Sequence, residues 1–364
     1  MKIVCTRNNL RDAFQLAERF TGKNFTLPVL ANIFFSAEGN EVRCVATNLE
    51  MGVEVSIPGK VLKAGAITVP GRVMNTLMQS IDEETVVIEE KDAALAIKTD
   101  SSNFVLQGID PKDFPMLPKV KKDHEFSVSA ADLKKAFGQV LPASATSEFK
   151  PELAGIFLGC RGRTMTLAAT DSFRLAEKTI PLSSANEAVS FILPGRTCQE
   201  LLRTLPESDE KVLVHEGEHQ VRFDFSNIRI VSRLVDGTYP DYAAIIPKEF
   251  AAHLSVGRDE LIRKVKAASV LSSKLNDIAV VSANGEFFVE AANAELGKSR
   301  IQLSAKTKGK ESRVSFNFRY LLDGLEALLG EEAILSINGD SAPAMIRDPN
   351  DSSFRYVLMP IRSV

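Results

Sequence analysis

The stretch Leu153–Ile180, LAGIFLGCRGRTMTLAATDSFRLAEKTI, has a counterpart in Leu30–Ile57, LANIFFSAEGNEVRCVATNLEMGVEVSI. The two align without a gap at an offset of 123 residues. Leu-Ala-x-Ile-Phe opens both, and Ala-Thr recurs at Ala46-Thr47 and Ala169-Thr170. A fainter third copy, Leu275–Leu303, begins 122 residues further on. A period this regular makes the chain a tandem array of one structural unit, so its 364 residues divide into three domains of about 120 each. Within the copy the pattern predicts a strand, a turn at Arg161-Gly162, a second strand, an Ala-Thr-Asp turn and a third strand.

The flanks of this block repeat too. Each copy opens with a short strand and an amphipathic helix: Ile3-Val4-Cys5 before Leu10–Phe14, Phe126-Ser127-Val128 before Leu133–Phe137, and Leu254-Ser255-Val256 before Leu261–Val265. Asn8, Ser129 and Gly257 stand where N-caps are expected. A second helix follows Pro70-Gly71-Arg72 and Pro194-Gly195-Arg196, and the third copy keeps only Arg319 of that triplet. Leu77, Leu201-Leu202 and Leu321-Leu322 supply the apolar faces of these helices. Hairpins are predicted for Val86–Glu90 with Ala94–Thr99, Val212–His215 with Gln220–Phe225, and Ala333–Ile337 with Ala344–Asp348. Phe114-Pro115 and Tyr239-Pro240 mark the exits from the first two domains. The linkers are then Leu117–Lys122 and Ile246–Glu249. The expectation is an α+β fold, antiparallel throughout, with two helices and about eight strands per repeat. The predicted domains are 1–122, 123–251 and 252–364.

Composition narrows the classes. The chain is 45% apolar and 25% charged, with no long apolar run. MKIVCTRNNL enters a strand with no signal-peptide core, so a cytoplasmic protein without a membrane span is expected. Cys5, Cys44, Cys160 and Cys198 are far apart and form no Cys-x-x-Cys, which fits reduced, buried thiols. Tryptophan is absent, so any binding surface must use Phe, Tyr, Met and Arg.

One motif invites an enzymatic reading. His215-Glu216-Gly217-Glu218-His219 fits the zinc-protease pattern, which needs a helix to put both imidazoles on one face. Here it falls between two predicted strands, at the position of the turns Glu90-Lys91-Asp92 and Asn338-Gly339-Asp340, so it predicts a hairpin and no metal. Asp171 is read as a turn carboxylate capping backbone N–H groups. Neither a catalytic constellation nor a cofactor site is expected.

Charge is more informative. The net charge is −3, yet the six predicted repeat helices together carry +5, leaving −8 elsewhere. Helices gathered on one surface would make that surface basic, as binding to a polyanion requires.

The repeat order, with ATDSFRLA (Ala169–Ala176), SRLVDGTYPDY (Ser232–Tyr242) and YVLMPIR (Tyr356–Arg362), closely resembles the bacterial DNA polymerase III beta subunit family, the replicative sliding clamps. The likeness runs the length of the chain. It implies a head-to-tail homodimer whose six domains close a ring around double-stranded DNA, helices inside and sheets outside. By that resemblance Arg72, Arg196, Lys134, Lys135, Arg263, Lys264 and Lys266 face DNA, with Arg11, Lys23 and Lys150 as weaker candidates. The dimer interface would pair Phe104-Val105-Leu106 with the helix carrying Val270-Leu271. Short peptides of the polymerase alpha subunit, the clamp-loader delta subunit and other polymerases or repair proteins would dock in one pocket. Its residues are Leu153, Thr170, Ser172, Phe173, Arg174, Leu175, Pro240, Ile245, Ser341, Val357, Met359, Pro360, Ile361 and Arg362. The chain departs from the family pattern at Asn24, where a basic residue is frequent, and at Ser172-Phe173, where Gly-His is common. It departs again at Ala244, where Arg is frequent, and in the tail Ser363-Val364. On residues alone, a monomeric peptide-binding adaptor and, more remotely, a hydrolase stay open.

Overall fold

The computed structural model describes residues 1–22, 27–121, 123–147 and 149–362; Lys23, Asn24, Lys122 and the Ser363-Val364 tail lie outside it. The first repeat contains β1 (Lys2–Thr6), α1 (Arg7–Glu18), β2 (Asn32–Glu38), β3 (Glu41–Thr47), β4 (Met51–Ile57), β5 (Gly59–Lys63), β6 (Gly65–Pro70), α2 (Gly71–Ser80), β7 (Thr85–Lys91), β8 (Ala94–Lys98) and β9 (Asn103–Gln107). The second contains β10 (His124–Ser129), α3 (Ala130–Val140), a one-turn α4 (Pro151–Ala154), β11 (Gly155–Thr170), β12 (Arg174–Pro194), α5 (Gly195–Thr204), β13 (Lys211–Gly217), β14 (Gln220–Phe225) and β15 (Ile228–Arg233). The third contains β16 (Ala252–Gly257), α6 (Arg258–Ser269), β17 (Asp277–Ala283), β18 (Glu286–Asn293), β19 (Gly297–Leu303), β20 (Ala305–Gly309), β21 (Ser312–Asn317), α7 (Phe318–Glu326), β22 (Glu332–Ile337), β23 (Ala344–Asp348) and β24 (Asp351–Leu358).

The six expected helices and the three expected hairpins are all present. Gly39 and Gly162, one period apart, hold left-handed φ of +58° and +59° at the tips of the first predicted turn. The second repeat has fewer strands than expected, because the strands flanking its turns run on as the long β11 and β12. These pair in two registers, Gly155–Cys160 with Val189–Pro194 and Thr164–Thr170 with Leu175–Pro181.

The chain forms two compact units that cut across the repeats: Met1–Ala130 with Pro206–Leu234, and Ala131–Leu205 with Val235–Val364. The reason is strand exchange. In the first unit β15, from the second repeat, pairs antiparallel with β4 of the first, Val231 opposite Gly52. In the second unit β24, from the third repeat, pairs with β12 of the second, Val357 opposite Leu175. The first unit therefore holds two sheets, ordered β5-β1-β7-β8-β9 and β10-β13-β14-β15-β4-β3-β2-β6. The second holds β11-β12-β24-β23-β22-β16-β20 and β19-β18-β17-β21.

Helices cover the sheets through their apolar stripes. Leu10, Ala13, Phe14 and Ala17 of α1 are buried, and the Phe14 ring packs on Phe35 of β2 at 5.2 Å. Each such fully buried large side chain is worth roughly 1.5–3 kcal/mol. The cap of α1 is Thr6, not Asn8: its hydroxyl accepts from Asn9 N–H at 3.4 Å, so the helix begins one residue before Asn8. Gly257 does precede α6, and Ser129 directly precedes α3. Leu201 and Leu321 are buried as expected, but in α2 Met74 and Met78 take the core positions and Leu77 is only half-buried. All four cysteines are buried, and among the described residues none is in a disulfide. Among the described residues no helix is long and apolar enough to cross a membrane.

Candidate functional site

The groove in the second unit is built on a turn whose chemistry is explicit in the sequence. Between β11 and β12, the Thr170 hydroxyl donates to the Arg174 carbonyl at 2.6 Å and accepts from Ser172 N–H at 3.1 Å. Asp171 caps the same turn, its Oδ1 accepting from the N–H groups of Phe173 (2.9 Å) and Arg174 (3.0 Å). This is the role expected of that carboxylate. Ser172 is held at φ +78°, a conformation that favours glycine and that these hydrogen bonds sustain in its absence.

The turn aims its neighbours. Phe173 projects into solvent, 60% exposed, while its carbonyl accepts from Met359 N–H at 2.8 Å and so fixes the chain leaving β24 beside it. Arg174 is held from both sides: Nε donates to Asp171 Oδ2 at 2.9 Å, and Nη1 pairs with Asp323 of α7. Its guanidinium also lies 4.2 Å over the Tyr320 ring. Beneath, Ala168, Leu175 and Val357 form a buried cluster packed by Phe157, Tyr242, Ile246 and Met345. Burial pushes the phenols of Tyr239, Tyr242 and Tyr356 well up, so all three are neutral at physiological pH.

Eight of the sequence-predicted pocket residues line one open cavity of about 50 Å³: Thr170, Ser172, Phe173, Arg174, Leu175, Ile245, Val357 and Met359. The other six do not line it. Leu153 is buried on α4, and Pro240 and Ser341 are exposed outside the cavity. Pro360, Ile361 and Arg362 continue past Met359, with Ile361 N–H donating to the Ser315 carbonyl at 2.8 Å. Sequence reasoning missed Tyr320 and Asp323, which orient Arg174. Both are half-buried on α7, and the sequence marked them only by their place in the predicted helix after Arg319.

Of the predicted DNA-facing residues that are described, all but Lys150, which precedes α4, lie on helices. In the first unit Arg72 is exposed at the second residue of α2, and Arg11 of α1 is tied to Asp12 at 2.9 Å. In the second unit Arg196 holds the matching place on α5 and is exposed, as is Arg319 on α7. Lys135, Lys150, Arg263 and Lys266 are exposed, and Lys134 and Lys264 half-buried. Lys266 is partly neutralised by Glu326 at 2.7 Å.

The predicted interface residues sit at an unfinished edge. β9 ends its sheet, and Phe104 and Leu106 pair with the fully buried Ile97 and Leu95. They extend the core side to the rim, where both are only half-buried, and Val105 on the opposite face is 63% exposed. In the second unit α6 stops at Ser269, so Val270 is its C-cap and Leu271 lies beyond the helix rather than on it. Val270 is exposed, and so are Leu275 and Leu296.

The zinc-like motif is a hairpin. His215, Glu216 and Gly217 end β13, and Gln220 begins β14. His215 is fully buried, 3.0 Å from Glu125 and 3.2 Å from Asp224, both carboxylates on neighbouring strands. Among the described residues no group of three potential ligands could hold a metal ion.

Three repeated α+β domains with an apolar, arginine-braced groove define a modular binding scaffold. Family models for the N-terminal, central and C-terminal domains of the DNA polymerase III beta subunit match residues 1–118, 127–241 and 243–362, and the chain belongs to that family. A beta sliding clamp from Synechococcus elongatus is 28% identical over 100% of this chain and 99% of its own length. The crystal structure of the Bacillus subtilis sliding clamp superposes with a TM-score of 0.95 at 26% identity, covering all of both chains. A Pseudomonas aeruginosa clamp bound to griselimycin superposes with a TM-score of 0.96, also at 26% identity and full coverage. The chain is a processivity clamp and not a catalytic subunit.

Proposed function

We propose that two copies of this chain close head to tail into a six-domain ring threaded by duplex DNA, each chain contributing domains 1–122, 123–251 and 252–364. The groove at Phe173 then tethers the replicative polymerase through its alpha subunit, and the clamp-loader delta subunit, other polymerases and repair proteins share it in turn. The observation that carries the reading is the groove itself: an apolar slot with a flexible Met359 on one side and a rigidly held Arg174 on the other. Leu153, Pro240, Ser341, Pro360, Ile361 and Arg362 would extend it along a bound peptide.

Duplex DNA is met by Arg72, Arg196, Lys134, Lys135, Arg263, Lys264 and Lys266, joined by Arg319. Contacts of this kind address phosphates, carry no sequence information and weaken with salt. Ring closure is supported by the chemistry of the sheet edges. β5 and β20 end their sheets guarded by Lys60 and Lys63, and by Lys306 and Lys308. β9, Asn-Phe-Val-Leu-Gln, carries no charge and leaves Phe104 and Leu106 half-covered, as an edge awaiting Val270 and Leu271 of a second copy does. The working compartment is the cytoplasm, where the replicating DNA lies.

Retention on nicked circular DNA tests the reading. The loaded protein should survive a moderate salt wash on the circle and be lost when the circle is linearised. Equal loss from both forms would rule out topological linkage.

A further inference from the structure

The first unit contains a second copy of the groove's framework. Thr47 donates to the Met51 carbonyl at 3.0 Å and accepts from Leu49 N–H at 3.0 Å, as Thr170 does with Arg174 and Ser172. Asn48 caps the turn as Asp171 does, and Leu49 has φ +76° against +78° at Ser172. Arg233 N–H donates to the Glu50 carbonyl at 2.8 Å, matching Met359 and Phe173 at the same distance. The Phe34 and Phe114 rings lie 5.5 Å apart at 33°, against 5.4 Å and 34° for Phe157 and Tyr239.

Two differences decide what this copy does. Gly52 stands where the open groove has Leu175, and Leu117 lays its Cδ2 2.2 Å from the place a β-carbon on Gly52 would occupy. Leu117 belongs to the stretch after Phe114, which runs without helix or strand to Lys121. Phe114 and Val120 of this stretch are buried and Leu117 is half-buried, three apolar anchors at a spacing of three, while Met116 points away, 70% exposed. The corresponding stretch of the second unit curls into a one-turn 3₁₀ helix at Ala243–Ile245 and leaves Ile245 exposed on the rim of its groove.

We infer that Phe114–Lys121 is a tethered peptide ligand that keeps the first unit's copy of the groove filled, so that each chain offers external peptides a single site. The inference rests on the docking role proposed for the open groove. A short tether holds its ligand at an effective concentration in the millimolar range, enough to exclude a weak competitor.

The test uses a fluorescein-labelled synthetic peptide of residues 113–121, DFPMLPKVK, read by anisotropy. Met359→Glu first silences the open groove, and in that background Leu117→Ala should raise peptide affinity at least tenfold and give one saturable site per chain. The same peptide with Ala at its leucine should not bind. A folded Met359→Glu/Leu117→Ala chain that binds the peptide no better than Met359→Glu alone overturns the inference. Should Leu117→Ala fail to fold, Leu117→Val is used with the same comparison. Failure of the docking reading itself is seen separately, as griselimycin affinity unchanged by Met359→Glu in the otherwise wild-type chain.

Discussion

Phe173→Ala separates docking from folding. The ring is 60% exposed in the free chain, so its truncation removes little native packing. A Phe side chain offers about 200 Å², which leaves on the order of 100 Å² for a bound ligand to cover. At ~25 cal/mol per Å² this is about 2.5 kcal/mol if covered completely and about half that if one face of the ring is used. The lower figure is roughly a tenfold loss of affinity. Leu175 provides the contrast: it is 3% exposed, so Leu175→Ala is expected to lower folding stability by about 2–5 kcal/mol as well. Calorimetric titration with griselimycin, which the Pseudomonas aeruginosa relative binds, gives the affinity, and a thermal melt gives the stability. Phe173→Ala should weaken binding about tenfold with an unchanged melting temperature. Full affinity in that variant would remove Phe173 from the docking surface, and a large drop in melting temperature would show that the ring packs against the folded chain.

Other perturbations probe the remaining surfaces. Leu106→Asp puts a charge on the half-covered rim of β9, so light scattering should report a dimer for the wild type and the 39.8 kDa monomer for the variant; a wild-type monomer would favour an adaptor that never encircles DNA. Glu83 accepts from the hydroxyls of Ser101 and Thr99, which hold its pKa down to about 2 against an ordinary 4.5. Its hold on the turn before β9 is therefore complete above about pH 4.5 and is lost as pH falls toward 2. The protection of the Ser101 and Ser102 amides, measured against their intrinsic exchange rates at each pH, should fall over that window, and Glu83→Gln should abolish the dependence. Burial pushes the thiol of Cys5 to about 11 and those of Cys44 and Cys198 well above the ordinary value, so at pH 8 an aromatic disulfide reagent should find almost no reactive thiol until guanidinium exposes all four.

The repeat made the fold legible because the features that recur are those the backbone cannot do without. Thr and Asx at 47–48 and 170–171 recur because a hydroxyl and a side-chain carbonyl satisfy the turn's N–H groups. Asn293 repeats the device in the third copy, accepting from Glu295 and Leu296 N–H. Gly39 and Gly162 recur because both tips need φ > 0. What a 120-residue period cannot convey is which strands leave their own repeat. β4 and β15, or β12 and β24, meet across repeats, and nothing local in Met51–Ile57 or Asp351–Leu358 encodes that pairing. For the same reason Arg174 was placed in the groove but its partners on α7 were not: a contact 149 residues away has no periodic signature.

The size of the groove bears on how it can be shared. Ligand sites formed in advance run to roughly 300–1,000 Å³, whereas this one holds about 50 Å³ until something moves. Arg174 is pinned by Asp171, Asp323 and Tyr320, and Val357 and Leu175 are buried, which leaves the half-buried Met359 and the exposed Ile245 and Phe173 as the less constrained walls. Two apolar anchors at roughly 1.5–3 kcal/mol each must then offset at least ~4 kcal/mol of lost translational and rotational freedom. The remainder is small, so docking of the proposed kind should be weak and readily reversed. A ring that stays on DNA by topology loses nothing when its partner leaves. Weak docking is therefore what the proposed function requires, if one groove per chain is to serve several partners in succession.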